Sequence, residues 1–368
     1  MPAFCMRNII TSIASRLGFK KPIFGSENAP EKPICNETLK TTKNVSKFRT
    51  EKVAIVGSGV TAMSWAMLFA SVGYQVTIFD VFHKNVSDAL NSIRVQLKTL
   101  ESSGLLRGHL NADDQIKCIE GSSNLAKAVK DAVFIQECKK EHYAFKIIIF
   151  QILDALVDDN VILSTSTSMT PLTLFSDKIK HKSHVIVSHL VEPFYYGSLV
   201  EIVPTIWTYP WIVAGTKEIM KEIGQQPVSL TKEISGYIVN RIQYVILNEV
   251  WRLVEQGIVH VQDIDKLISE GLGMYYAFLG PFEIAHLSSE GIVNYIKRYG
   301  ETIFNVCNIT ADTPPPCMNT SYSTEFICAH LNAVVPLEKL QERRAWRDAC
   351  FMRLMKLRNE MNLLFINE

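Results

Sequence analysis

The chain has 368 residues, 47% of them hydrophobic and 20% charged, with a formal net charge of +1. That length accommodates two domains, and the composition is that of an ordinary globular protein. The near-neutral charge gives no electrostatic footprint for nucleic acid. No run of about 18 uncharged apolar residues offers a membrane span.

Residues 1–50 differ in character from the rest of the chain. Arg7, Arg16, Lys20 and Lys21 precede the first acid, Glu27, while Ile9, Ile13 and Leu17 fall on one helical face. This profile fits either a mitochondrial presequence or an extra tail on a cytoplasmic protein. The cytoplasm is the expected location and the mitochondrion the alternative. Residues 26–50, rich in Asn, Lys, Thr and Pro, favour disorder.

Domain 51–232 begins with Val53, Ala54, Ile55 and Val56, a short buried strand, followed at once by Gly57-Ser58-Gly59-Val60-Thr61-Ala62. A helix then runs through Trp65, Met67, Leu68 and Phe69. Strand, G-x-G-x-x-A and helix together form the dinucleotide-binding fingerprint. Gly57 makes the tight turn, Gly59 admits a pyrophosphate, and Ala62 lets the helix pack closely on the strand. The phosphates are expected at the helix N-terminus. A second strand, 75–79, ends at Asp80, 23 residues after Gly57. An acid about 20 residues on accepts the ribose 2′-OH of NAD and repels the 2′-phosphate of NADP.

Strands and helices continue to alternate. A helix carrying Leu90, Ile93, Leu97 and Leu100 stops before Gly104 and Gly108, and residues 116–119 and 132–136 read as the third and fourth strands. A helix with Phe145, Ile148, Ile149, Ile152 and Leu153 on one side leads to strands at 161–163, 184–188 and 199–203. This predicts a largely parallel sheet with helices on both faces. In 233–368 the pattern turns helical: Ile238, Ile242, Val245, Ile246, Val250, Leu253 and Val254 recur at 3- and 4-residue spacing up to Gly257. Helices are further expected at 261–270, 281–298 and 343–361. The fold class is therefore α/β: an N-terminal Rossmann-type doubly wound sheet followed by an all-α domain. The eight cysteines are scattered without a Cys-x-x-Cys pair, so they read as reduced, mostly buried thiols, and no metal site is supported.

Hydride chemistry on an alcohol needs a base for the hydroxyl proton, placed near the C-terminal strand ends where ligands bind in such sheets. His189 directly follows the strand at 184–188. Glu201, twelve residues later, interrupts the apolar run 199–203. A buried carboxylate needs a partner, so Glu201 either fixes the His189 imidazole or is an exposed edge glutamate. Ser164-Thr165-Ser166-Thr167-Ser168 is either a hydroxyl rim for substrate or a polar turn. Asn240 is either an amide donor or part of a helix cap.

These pieces, in this order, resemble the 3-hydroxyacyl-CoA dehydrogenase superfamily. The resemblance rests on Val-Gly-Ser-Gly-Val (56–60), Ser-Trp-Ala-Met-Leu-Phe-Ala-Ser (64–71), Ile-Gln-Glu-Cys (135–138), Gly-Tyr-Ile-Val-Asn-Arg (236–241) and Ser-Glu-Gly-Leu-Gly-Met (269–274). It implies NAD contacts at Val60, Thr61, Asp80, Glu141 and Lys146, a substrate-contacting serine at Ser168 and a catalytic base at His189. It also implies the carboxylate partner at Glu201, a substrate-contacting asparagine at Asn240, and a helical domain that makes a homodimer. The expected reaction is NAD-dependent oxidation of the 3-hydroxyl of L-gulonate or a similar small 3-hydroxy acid. The alternatives are oxidation of a 3-hydroxyacyl-CoA, or a crystallin-like NAD-binding protein with little turnover. One departure bears on substrate. The family pattern His-Pro-Val-Asn-Pro is here His189-Leu190-Val191-Glu192-Pro193, so Glu192 adds a carboxylate that disfavours an anionic substrate.

Overall fold

A computed structural model describes residues 49–139, 142–311, 318 and 324–366. Residues 1–48 and Glu141 lie outside the described residues, and with them the presequence expectation and one expected NAD contact.

The first unit is a sheet of eight strands: β1 (Lys52–Val56), β2 (Gln75–Phe79), β3 (Ile119–Ser122), β4 (Ala132–Glu137), β5 (Ile162–Thr165), β6 (Val185–Leu190), β7 (Leu199–Pro204) and β8 (Gln226–Ser229). Their order is β3-β2-β1-β4-β5-β6-β7-β8. Among the described residues, neighbours are parallel except β6 and β7, which run antiparallel. The chain winds outward from β1 in both directions, so the crevice at a doubly wound switch point opens beside the glycine turn.

Helices cover both faces because alternate strand residues point to opposite sides. Helix α1 (Val60–Ala70) stacks Phe69 5.5 Å from Phe134 of β4, ring to ring. Helix α2 (His83–Ser102) buries Val86, Ala89, Ile93, Leu97 and Leu100. On the opposite face Ala54, Val56 and Ile135 share a core with helices α4 (Leu125–Val129) and α5 (Tyr143–Asp154), including Phe150 and Leu153. A single turn, α6 (Thr173–Ser176), adds Phe175 to this layer, whereas α7 (Pro210–Glu222) lies on the α1 face, with Gly215 against Ile162.

Two sequence expectations are corrected in this unit. Residues 112–117 form a helix, α3 (Ala112–Lys117), and the third strand starts only at Ile119. The helix wins because Asn111 caps it, accepting from the Asp114 N–H at 2.9 Å, and Asp113 and Asp114 sit in its first turn. The strand expected at 184–188 instead spans Val185–Leu190, so His189 lies within β6 and not after it. Strand β8 was not expected. Its Gln-Pro-Val-Ser carries little strand signal and is recruited by pairing with β7.

The first unit extends to Tyr237. Glu233 accepts from the Leu172 and Thr173 N–H groups, and Ile234 and Tyr237 pack into the sheet core. The second unit begins at Ile238 and is helical. It comprises α8 (Val239–Glu255), α9 (Val261–Lys266), a π-helical turn (Leu267–Leu272), α10 (Gly273–Tyr276), α11 (Pro281–Leu287), α12 (Ile292–Ala311), α13 (Thr324–Val334) and α14 (Leu340–Ile366). The helix expected over 281–298 is split because Glu290 and Gly291 take positive φ of 52° and 120°. The cysteines also depart from expectation: Cys118 is buried and Cys138 half-buried, but Cys307, Cys328 and Cys350 are exposed. The last three sit on helix faces of the second unit, whose compact core, around Val254, Ile264 and Ile327, is small.

Candidate active site

Gly57 closes β1 with φ 138°, and its N–H donates to the Phe79 carbonyl at 2.9 Å. A Cβ there would stand 3.1 Å from the Cys138 carbonyl oxygen, so both backbone and space demand glycine. Gly59 precedes α1 without a side-chain cap, and a Cβ there would meet nothing within 4 Å. No acid occupies the first turn of α1. Open space before a helix N-terminus without its own anion is what a pyrophosphate requires. Val60 is 66% exposed at this edge, Thr61 is half-buried, and Ala62 is fully buried against the sheet.

Asp80 follows β2 and is 4% exposed. One carboxylate oxygen accepts from Ser58 Oγ at 2.8 Å and Lys139 Nζ at 2.5 Å. The other accepts from the Phe82 N–H and from Asn85 Nδ2, each at 3.2 Å. Burial raises its pKa, but Lys139, Ser58 and the Phe82 N–H outweigh burial and hold the carboxyl below its ordinary value. Lys139 is a functional neighbour that the sequence did not reveal. Because β1 lies between β2 and β4, the residues that succeed both neighbours flank the glycine turn. The only sequence signal was a charged run, Lys139-Lys140-Glu141, after the fourth strand.

Lys146, an expected cofactor contact, is 1% exposed in α5, and its ammonium lies 2.7 Å from Glu137 of β4. Thr165 Oγ1 donates to the same carboxylate at 2.6 Å. The pair ties the end of β4 to α5. The sequence singles out Lys146 but not Glu137.

His189 and Glu201 are register partners across β6 and β7. Directly opposed residues project on the same side of a sheet, and His189 Nδ1 lies 2.8 Å from Glu201 Oε2. Glu201 is fully buried and His189 is 8% exposed. An ionised carboxylate only accepts, so Nδ1 carries the proton and Nε2 has the basic lone pair. The Tyr237 ring packs 5.7 Å from the imidazole, a neighbour missed in the sequence.

Between the two regions, Ser166 Oγ accepts from Trp65 Nε1 at 2.9 Å and from Gln136 Nε2 at 2.8 Å. It also lies 3.4 Å from Cys138 Sγ. Burial pushes the Cys138 thiol up to about 12. Ser164 is buried and donates to Ser188 Oγ at 2.9 Å, which ties β5 to β6. Ser168 is half-buried beyond the end of β5, and Glu192 is exposed just after β6. Asn240 lies within α8 of the second unit. Its N-cap position is Ile238, so Asn240 is not the capping residue. Among the described residues no group of His, Cys, Asp and Glu could hold a metal, and no helix is long and apolar enough to cross a membrane.

The glycine turn, the buried acid after β2 and the open helix N-terminus fit NAD. This unit is the Rossmann domain of an NAD-dependent dehydrogenase acting on CH–OH groups. The chain belongs to the 3-hydroxyacyl-CoA dehydrogenase family: residues 52–234 match its NAD-binding domain and residues 236–320 its C-terminal domain. It is 45% identical over 312 residues to the mouse lambda-crystallin homologue, covering 84% of this chain and 97% of that one. It is 31% identical over 256 residues to a 3-hydroxyacyl-CoA dehydrogenase of Gibberella moniliformis, covering 68% of this chain and 78% of that one. Among solved structures, an NAD+-dependent 5-formyl-3-hydroxy-2-methylpyridine 4-carboxylic acid 5-dehydrogenase superposes with a TM-score of 0.70 at 22% identity. It covers 84% of this chain and 98% of that one, a likeness of fold.

Proposed function

We propose that the protein oxidises the 3-hydroxyl of L-gulonate, or of a similar small 3-hydroxy acid, to the 3-keto product. The observation that carries the chemistry is the His189–Glu201 pair, an imidazole Nδ1 held by a buried carboxylate at 2.8 Å. Bound NAD+ supplies the hydride acceptor. His189 Nε2 takes the hydroxyl proton as the carbonyl forms, and the resulting imidazolium is stabilised by Glu201, which accepts from Nδ1 throughout. Ser168 serves as a hydrogen-bond partner for the reacting oxygen. Asn240 is given the same task on family resemblance alone.

Likeness to lambda-crystallin homologues over most of the chain supports the small hydroxy acid over an acyl-CoA. We also propose a homodimer made through the helical unit, where Ile242, Val245 and Ile246 leave an apolar face of α8 exposed. The test is NADH production by purified protein with L-gulonate and, separately, with a short 3-hydroxyacyl-CoA, beside His189→Ala. Gulonate-dependent reduction lost in the variant supports the reading. Turnover of the acyl-CoA alone reverses the substrate, and silence with both while NADH still binds favours a crystallin-like, non-catalytic protein.

A further inference from the structure

Lys139 stands on the carboxylate that is expected to meet the adenosine ribose. Its Nζ is 2.5 Å from Asp80 Oδ2, with the Asp80 side chain 6% exposed and that of Lys139 27% exposed. The lysine is held from its backbone: its N–H donates to Glu137 Oε1 at 2.7 Å, and its carbonyl accepts from Lys146 Nζ at 3.4 Å. Glu137 and Lys146 are themselves a buried pair, so the residue that presents the ammonium is fixed to the sheet.

Asp80 is also the residue by which such a site would reject NADP, because an ionised carboxylate repels a 2′-phosphate. Here its charge is matched by a contacting ammonium. Its two oxygens accept from Ser58, Lys139, Phe82 N–H and Asn85. An ammonium has three donors, and Asp80 occupies one. The remaining donors and the charge are partly open to solvent beside the ribose position.

We propose that Lys139 is a specificity-determining residue of the cofactor site, and that by neutralising Asp80 and offering an ammonium to a 2′-phosphate it lets the site accept NADP(H) as well as NAD(H). The phosphate brings about 1.5 to 2 negative charges. Lys139 converts the adenosine end from a repulsive pocket to one that tolerates them. The inference rests on the cofactor site and not on the identity of the alcohol, so failure of gulonate turnover leaves it standing.

The test is equilibrium binding of NADH and NADPH to the full chain without substrate, read by energy transfer from tryptophan at fixed ionic strength. The expected result for the unsubstituted protein is NADPH binding within about tenfold of NADH. Lys139→Met should raise the NADPH-to-NADH ratio of dissociation constants at least about tenfold, equivalent to about 1.4 kcal/mol. Lys139→Arg, which keeps the charge, should leave the ratio within about threefold of the starting value. The ratio is an internal control, because a general loss of folding weakens both nucleotides together. An equal ratio in the unsubstituted protein and Lys139→Met overturns the proposal, as does binding of neither nucleotide by the unsubstituted chain.

Discussion

His189 and Glu201 meet at the antiparallel junction of an otherwise parallel run of strands, Nδ1 to Oε2 at 2.8 Å. The reversal of β7 sets the start of one strand beside the end of the other, so a carboxylate near the beginning of β7 reaches an imidazole near the end of β6. Glu201→Gln keeps the shape but offers Nδ1 an amide that serves a different tautomer equally well. A loss of about 10²–10⁴ in kcat is expected, with NADH affinity little changed. Glu201→Gln combined with His189→Ala should cost no more than His189→Ala alone, because the two act as one unit. Additive losses in steady-state kinetics would separate their roles.

The two glycines of the turn should fail differently. Gly57→Ala forces a side chain into φ 138° and to 3.1 Å from the Cys138 carbonyl, a strain of about 1–3 kcal/mol. At Gly59 the Cβ position is open, so Gly59→Ala should stay within about 0.5 kcal/mol of the parent in urea unfolding. It should nevertheless weaken NADH binding by crowding the phosphate path. Equal stability losses would show that Gly59 is structural.

Lys146 and Glu137 form a pair almost wholly out of water. Lys146→Met leaves Glu137 with an uncompensated charge and should cost about 3–5 kcal/mol. Adding Glu137→Gln should recover much of that loss, since the remaining groups are then neutral. Urea unfolding of the single and double variants reads this directly, and an additive double variant would contradict it.

Acid should expose the contribution of Asp80. Its folded carboxyl is held below the ordinary 3.8 by Lys139, Ser58 and the Phe82 N–H in spite of burial. A depressed carboxyl adds stability that is complete above its unfolded value and fades as pH falls through the folded one. Asp80→Asn should therefore lower Tm at about pH 7, with the deficit shrinking below about pH 4. A deficit that persists unchanged into stronger acid would place the effect on hydrogen bonding rather than charge.

Cys138 should be inert in the native protein. With its thiol pushed up to about 12 by burial, almost none is thiolate near neutrality, and the thiolate is the nucleophile. Iodoacetamide at about pH 8 should leave the Cys138 peptide unmodified until denaturant is added, while exposed Cys328 and Cys350 react first. Peptide mass spectrometry tracks each site separately.

Much of the first unit was legible because its signals are local. The glycine turn, the acid 23 residues on and the apolar runs are all short-range patterns. Neighbourhood was much less legible. Lys139 reads as one more surface lysine until the order β2-β1-β4 puts it beside Asp80, and Glu137 gains a role only from Lys146, nine residues away in the next helix. Residues 116–119 misled because Ile-Lys-Cys-Ile has strand composition, whereas the Asn111 cap had already started a helix. Strand β8 was invisible for the opposite reason: a proline-containing tetrapeptide becomes a strand only because β7 has an edge to offer.

The His189–Glu201 pair is written into strand register and not into a loop. Successive strand residues face opposite sides, so sliding β7 by a single residue would turn the carboxylate away from the imidazole altogether. The connection 191–198, which carries Glu192, lies outside the residues paired between β6 and β7, and is held instead by Arg107, which donates to the Tyr195 and Gly197 carbonyls. Any change elsewhere in the chain therefore keeps the pair only if it leaves β6 and β7 in the register that sets His189 opposite Glu201.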